Sequence, residues 1–443
     1  MTGMREEALK IIERLRKHHF KAYLAGGCVR DTLMGLEPQD YDIATDASPE
    51  QIKKLFDKTF ILGTQFPVVM ILLNQHQFQL TSFRGREPWS EEGDTQLRDF
   101  TINGLLYDPL EDKVLDYVGG RKDIEGKITR AIGDPVARFR EDRLRLMRAI
   151  RLASRYQFQI EKNTLIALKD LASEIVLVSP ERIRDELIKI LSDKNAYAGA
   201  KLLLDTGIMQ HILPEVAAMA GIEQPPEYHP EGDVLTHTLL MLKHMETSSP
   251  ELAVAVLLHD IGKPLTYEKH VVSEVNLTDR ITFKNHARVG SKLTEDICLR
   301  LRFSRKETDK IVSLVRHHLK FIHVQEMRLN KLKRFLQMED FSDHLELHRL
   351  DCLASHRNLS NWEFCQAKLK ELSPQALRPP RLITGHDLIA MGYKPGPLFS
   401  EVLTLIEDAQ LEEKISNRQE ALELVADYLS RKGQAGSERS ESI

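Results

Sequence analysis

The stretch LAGGCVRDTLMGLEPQDYDIATD, Leu24 to Asp46, brings together two adjacent glycines, an arginine and two aspartates one residue apart. Asp40 and Asp42 flank Tyr41 in a β-type run. A strand sends alternate side chains to opposite faces, so both carboxylates lie on one side, where they can share divalent metal ions. Gly26 and Gly27 follow the strand-like AYLA and precede the helix-like VRDTLM. In such a turn, backbone N–H groups without side chains in the way can cradle a phosphate. Arg30, one helical turn on, can add a guanidinium fork to the same oxygens. Each feature alone is commonplace, since paired glycines usually make turns and an isolated acidic pair usually sits in solvent. Their conjunction points to a metal-bound phosphate ligand.

Two further stretches carry polar side chains at regular spacing. RDFTINGLLYD contains Arg98, Asp99 and Asn103, and REDRLRLMRAIR contains Asp142, Arg145, Arg148 and Arg151 at three-residue steps. On a helix, Asp142 and Arg145 face the same way, which by itself describes a surface ion pair worth about 0.2–0.5 kcal/mol. The same pair could also read a base edge. A carboxylate accepts the exocyclic amine of cytosine or adenine while a guanidinium donates to ring acceptors. Twelve of the seventeen histidines lie between His229 and His356. They include His237 in LTHTLLML, His259 beside Asp260 in LLHDIGKP, His286 in NHARVGSKL and His317 in VRHHL, with Asp351 following in LHRLDCLAS. This mixture of imidazole and carboxylate suits first-row transition metals, and an Asp next to a His can bridge two ions that activate water. His318, His323, His344 and His348 read as surface residues.

These motifs resemble the nucleotidyltransferase signature of the polymerase-β-like superfamily, specifically the class II tRNA nucleotidyltransferase and bacterial poly(A) polymerase family. The histidine set resembles the H…HD…D ligands of HD-type phosphohydrolases. The resemblance covers nearly the whole chain. It implies that Asp40 and Asp42 hold Mg²⁺ and catalyse, and that Gly26, Gly27, Arg30, Arg98, Asp99, Asn103, Arg148 and Arg151 hold the nucleotide. It implies that Asp142 and Arg145 act as a protein template for the base, and that His237, His259, Asp260, His286, His317 and Asp351 hold a transition metal of unspecified identity. The implied partners are CTP, ATP and a tRNA acceptor end. The implied reaction is addition of CMP, as CC or full CCA, with a phosphatase or 2′,3′-cyclic phosphodiesterase as a second activity. The chain departs from the family in three places. Gln79 stands where many relatives carry a third metal carboxylate, Leu97-Arg98 replaces a double arginine, and RGREPWSEEGD (Arg84 to Asp94) is short for a loop that helps switch specificity from C to A. The shortening favours a CC-adding enzyme slightly over a CCA-adding one. An A-adding enzyme or poly(A) polymerase of the same family is the alternative, and the short acidic end supplies no basic extension for RNA grip. An HD phosphohydrolase with a regulatory nucleotide-binding head is a reading of another class.

The elements that must position these residues follow from pattern. The chain of 443 residues is too long for one core and suggests three or four domains. The expected fold class is α+β: a small mixed α/β nucleotidyltransferase head (1–134), an all-helical neck (135–221), a helical HD domain (222–375) and a helical tail with a disordered end (376–443). Lys21 to Ile132 alternates short β-type runs with turn clusters. Apolar residues then switch to helical spacing, with Ser179 as N-cap before Pro180. The proline-rich Ile222 to Asp233 reads as a linker. Hydrophobic content of 42% and charged content of 29%, with no apolar run near the roughly 20 residues of a membrane span, exclude a membrane protein. The charged N-terminus and four cysteines without CxxC spacing suggest the cytoplasm. The net charge of −4 excludes a uniformly basic nucleic-acid coat, yet Arg138 to Arg155 holds seven arginines against two acids, so anion binding must be local. Oligomeric state is not legible.

Overall fold

The computed structural model describes residues 2–63, 67–85, 89–246, 248–271 and 279–437. The fold is α+β, a sheet-containing head followed by helical regions. It divides into two compact units, one of residues 1–221, 245–257 and 296–305, the other of 222–244, 258–295 and 306–443.

The first unit is built on a seven-stranded sheet. Its strands are β1 (Ala22–Ala25), β2 (Asp42–Thr45), β3 (Thr59–Leu62), β4 (Val68–Leu73), β5 (His76–Ser82), β6 (Leu105–Asp108) and β7 (Lys113–Asp116), in the order β3-β4-β5-β2-β1-β6-β7. Only β2 and β5 pair in parallel. The first helix, Thr2–Lys17, buries Ala8, Ile11, Ile12 and Leu15, the stripe its sequence spacing predicts. With Ile52 of the helix Pro49–Leu55, this stripe covers Ile43, Phe78 and Leu80 on one face of the sheet. That second helix starts in a capping box, with Ser48 and Gln51 each satisfying the other's backbone N–H.

One register decides the chemistry. In the antiparallel pair of β1 and β2, Ala25 lies opposite Asp42, so the strand end that delivers Gly26 and the strand start that delivers the aspartates emerge side by side. Leu106 flanks Ala25 on the other side, and the Gly26 N–H donates to the Leu105 carbonyl at 3.1 Å. The strand expected to carry both aspartates begins only at Asp42, but Tyr41 just before it is buried in the core and both carboxylates still face one cavity.

The rest of this unit is helical. The helix Arg145–Tyr156 buries Leu146, Met147, Ala149, Ile150, Leu152 and Ala153 and leaves its arginines on the opposite side. It packs on Pro180–Leu191 and Ala196–Asp205. Ser179 is the N-cap residue of Pro180–Leu191 with Pro180 at the first position, but its hydroxyl makes no capping bond. Asp142 and Arg145 do not share a helix as expected. The helix Pro135–Glu141 stops before Asp142, whose backbone is extended, and the next helix begins at Arg145. The Asp142 carboxylate accepts the Leu144 N–H at 3.2 Å, a local bond that competes with helix continuation.

In the second unit, the helices Val234–His244 and Phe341–Ala354 pack together, and a hairpin joins Tyr267–Val271 to Asp279–Phe283. Pro397–Leu411 starts at the PGP turn, and the final helix Arg418–Ser437 runs through much of the stretch expected to be disordered. Residues 438–443 of that stretch lie outside the described residues. Among the described residues no helix is long and apolar enough to cross a membrane.

Gly199 lies where two helices of the first unit cross, and a Cβ there would meet Ile190 Cγ2 at 2.4 Å. Gly199→Ala should destabilise this unit by about 1–3 kcal/mol through overpacking. Urea unfolding followed by circular dichroism measures it, and a midpoint equal to the parent's would contradict the crossing.

Candidate functional site

A cavity of about 460 Å³ opens in the first unit, within the size range of small-molecule sites. Its walls include Gly26, Gly27, Arg30, Asp40, Asp42, Arg98, Asp99, Asn103, Asp142, Arg145, Arg148 and Arg151. The fold thus brings every residue expected in the head and neck motifs to one place. Counting the rest of the wall, eight arginines face five aspartates, an excess of positive charge suited to an anionic ligand.

Gly26 has φ +73°, a region that disfavours side chains, and a Cβ there would lie 3.1 Å from Arg98 Nη1. The bare turn therefore lets a guanidinium approach the backbone beside the aspartates. Arg98 is held from behind by Asp94, which is fully buried and accepts from Arg98 Nε and Nη2 at 3.0 and 2.8 Å and from Arg84 Nε at 2.8 Å. Asp94 thereby ties Arg84 to Arg98, and Ser90 caps a short helix, Glu91–Gln96. Residues 86–88 of that loop lie outside the described residues.

Arg30 is more committed than its sequence position suggests. It donates from Nη1 to Asn103 Oδ1 at 2.5 Å, from Nη2 to the Tyr156 hydroxyl at 2.5 Å and from Nε to Asp31 at 2.9 Å, with its guanidinium 4.5 Å from the Tyr156 ring centroid. Nη2 also lies 2.8 Å from Asp31 Oδ1, so most of the Arg30 donors are engaged in organising the wall. Asn103 passes the network on to Asp99 Oδ1, and Arg148 grips Asp99 Oδ2 through Nε and Nη2 at 2.8 and 2.5 Å. Burial pushes Asp99 upward, but Arg148 and Asn103 outweigh it and hold the carboxyl well below its usual range. Asp42 behaves oppositely: burial first, then the neighbouring Asp40, raise it to about 6, with Arg98 opposing. A carboxylate such as Asp42 that resists ionisation by itself fits a site completed by a cation, and Asp40 and Asp42 are the donors a divalent ion would take. Gln79, which the β2–β5 register places next to Asp42, is an uncharged amide and adds no third charge.

Asp142 is held by Arg182 Nη2 at 2.8 Å, and Arg145 donates to Glu141 at 2.7 Å and to the Arg138 carbonyl at 2.9 Å. Both border the cavity. Sequence reasoning missed Arg182, read only as part of a helix start, and also Arg84, Arg155 and Tyr156. Only Arg155 had a signal, since it continues the arginine face four residues after Arg151.

The histidine cluster lies in the second unit, beside a cavity of about 840 Å³. His237 Nε2 is 3.1 Å from Asp351 Oδ1, and His259 Nε2 is 3.0 Å from Asp260 Oδ2. Asp260 Oδ1 is buried without a hydrogen bond, 3.4 Å from His286 Nε2 and 3.8 Å from His318 Nε2. Five of the six expected residues converge. The sixth, His317, does not: its neighbour His318 takes the place. Successive residues at a helix end point in different directions, so only one of the pair can face Asp260. His317 turns instead towards Ser313, and burial with the nearby Lys320 and Arg316 pushes it down to about 4. The surface reading of His318, His344 and His348 is likewise overturned, since all three are buried; His323 is exposed. The stretch read as a linker is in fact part of the site, contributing His229 and Glu231.

The donor set fits a metal. His286 and His318 hydrogen-bond through Nδ1 to the carbonyls of Phe283 and Val315 at 2.9 and 2.7 Å, so each Nδ1 carries the proton and each Nε2 presents a lone pair. Those two lone pairs lie 3.2 Å apart, close to the ~3.3 Å separation of nitrogens on one tetrahedral ion. Without a cation between them they would repel. Burial opposes the negative charge on Asp351, but the His237 imidazole holds it well below the carboxylate range.

Three family models match in order: "Poly A polymerase head domain" over residues 22–130, "Probable RNA and SrmB-binding site of polymerase A" over 157–219 and "HD domain" over 234–346. The chain is 38% identical over 219 residues to the CCA-adding enzyme of Ligilactobacillus salivarius, covering 46% of this chain and 54% of that protein. The chain thus spans about half the length of that relative. It is 32% identical to the Multifunctional CCA protein of Acinetobacter baumannii over 72% of this chain and 79% of the relative. A solved structure of the Bacillus stearothermophilus CCA-adding enzyme, in complex with CTP, shares the fold with TM-score 0.75 at 23% identity, over 97% of this chain and 98% of that one.

Because Asp42 titrates near 6 in the folded chain but near its ordinary value when unfolded, its ionised form lowers stability above about pH 6, and the penalty disappears below about pH 4. Asp42→Asn should therefore raise the melting temperature in metal-free buffer at pH 8, with the gain fading on acidification. A melting temperature unchanged at pH 8 would contradict the burial. Removing Arg182 as Arg182→Ala should take away the guanidinium that holds the Asp142 carboxyl below its ordinary range, so the Asp142 pKa should rise, which NMR titration of the side-chain carboxyl measures.

Proposed function

We infer that this chain, which belongs to the class II CCA-adding enzyme and bacterial poly(A) polymerase family with an HD domain, is a tRNA 3′-end nucleotidyltransferase that adds CMP, as CC or as full CCA. The observation that carries this reading is that the Asp40–Asp42 pair, the Gly26–Gly27 turn and the Asp142–Arg145 pair all line one cavity. Divalent ions held by Asp40 and Asp42, Mg²⁺ in this reading, would supply the charge that favours attack of an RNA 3′-hydroxyl on the α-phosphate and release of pyrophosphate. The chain's own residues do the positioning. Arg98, with Arg148 and Arg151 along the opposite wall, neutralises phosphate charge, and Arg30 keeps Asn103 and Asp99 fixed under the sugar. Asp142 accepts from the exocyclic amine of cytosine or adenine, Arg145 donates to the ring acceptor, and uracil, with a carbonyl in place of the amine, meets a carboxylate. The tRNA acceptor end would be held through its phosphates and A-form shape rather than its sequence.

The shortened loop supports C addition over a switch to A, because Asp94 ties both of its neighbouring arginines in place. A second activity rests on the His–Asp cluster: a divalent transition metal there would activate water for hydrolysis of a phosphate ester, with a tRNA 2′,3′-cyclic phosphate as the proposed substrate. The domain limits proposed are those expected from sequence: head 1–134, neck 135–221, HD domain 222–375 and tail 376–443. The proposed location is the cytoplasm.

Transcripts of tRNA ending at the discriminator base, at C or at CC, offered labelled CTP or ATP separately, test the reading. CMP should join the first two, and Asp40→Asn/Asp42→Asn should lower the rate at least about 10²-fold. Addition of A alone to the CC-ended transcript would overturn the C-adding assignment. Hydrolysis of a 2′,3′-cyclic phosphate should be lost in His259→Ala/Asp260→Ala, and rates equal to the parent's would remove the second activity.

A further inference from the structure

Glu231 belongs to none of the motifs above, yet its carboxylate sits inside the histidine cluster. It lies two residues ahead of the N-cap that starts Val234–His244, where Asp233 accepts the Thr236 N–H at 2.8 Å. That cap fixes the direction in which the preceding chain enters the site. The side chain is only 6% exposed. Its Oε1 lies 2.6 Å from His237 Nδ1 and 2.9 Å from His229 Nδ1, while Oε2 is buried with no hydrogen bond among the described residues. Burying a carboxylate with one oxygen left over is costly, so its retention calls for a role beyond packing.

We propose that Glu231 is the positioning residue of the metal site, holding the proton of His237 on Nδ1 so that Nε2 is directed at the ion shared with Asp351. The inference rests on the reading of the His–Asp cluster as a metal centre. Its physical basis is a contrast within the cluster. His286 and His318 are oriented by neutral backbone carbonyls. His237 is oriented by a charged acceptor, which makes its other nitrogen a stronger donor to a cation and fixes the ring against rotation. His229 contributes indirectly: its ring meets that of His237 edge-on at 5.0 Å, and its Nδ1 contacts the same carboxylate oxygen, so it gives Glu231 a second point of attachment. The signal was present in the sequence as PEYHPEGD, where a histidine and a glutamate sit among turn residues, but proline and glycine made the stretch read as a connection.

The test titrates Co²⁺ into the full-length chain with excess Mg²⁺ present to occupy the Asp40–Asp42 pair, following the visible absorption of bound Co²⁺. Glu231→Gln keeps the shape and a weaker acceptor, and should bind Co²⁺ about 10-fold less tightly than the parent, with Glu231→Ala nearer 100-fold. The shape of the absorption band should change as well, and nucleotide addition to tRNA should stay at the parent rate, which shows that each variant is folded. Unchanged Co²⁺ affinity and band shape in both variants overturns the positioning role. Asp260→Ala separates the two levels: if it abolishes the Co²⁺ signal while Glu231→Ala does not, only the role of Glu231 fails. If Asp260→Ala binds like the parent, the metal reading itself fails and the proposal with it.

Discussion

The ion pair of half-buried Arg148 with buried Asp99 is the contact on which the arrangement of the first unit's cavity depends. It joins a helix that carries arginines along one face to a tight turn just ahead of β6, residues 49 apart in sequence. A two-point guanidinium–carboxylate contact fixes both distance and orientation. Arg30 extends the tie through Asn103 on one side and Tyr156 on the other, so the glycine turn and both ends of the wall are held in one network. A buried carboxylate left alone would be protonated or would destabilise the fold. The pairing keeps Asp99 ionised and makes any shift of the helix expensive.

Against that rigid wall, Asp42 is left electrostatically unsatisfied. Its neighbours are another aspartate and a single opposing arginine, and burial raises its affinity for a proton. Asp99 and Asp42, one buried and one half-buried, shift in opposite directions because their partners differ: Arg148 and Asn103 neutralise the first, whereas the second meets only one opposing arginine and is the group a cation would satisfy. The histidine cluster repeats the pattern, with Asp260 Oδ1 and two imidazole lone pairs converging where no donor among the described residues meets Oδ1.

The carboxylate pair, the glycine turn and the arginine series were legible because each is defined by short spacing: Asp40 and Asp42 two apart at the start of β2, three-residue steps for the arginines. Where the reading went astray, the local rule gave two equal answers. His317 and His318 are adjacent and chemically identical, and only the direction in which the helix Arg305–His317 ends decides which one meets Asp260. Asp142 and Arg145 have helical spacing, yet the aspartate's own bond to the Leu144 N–H ends one helix before the next begins, and Arg182 then sets where the carboxylate points.

The sequence alone determined which chemistry is present, since side-chain types and short-range periodicity follow from covalent structure and local backbone preference. It also determined the α+β class and the family resemblance. Which residues share a cavity was decided by tertiary structure, because Arg182 with Asp142, Tyr156 with Arg30 and Asp351 with His237 are brought together only by the packing of separate elements. No periodicity encodes such contacts; they arise where buried polar groups from separate elements must satisfy one another away from water.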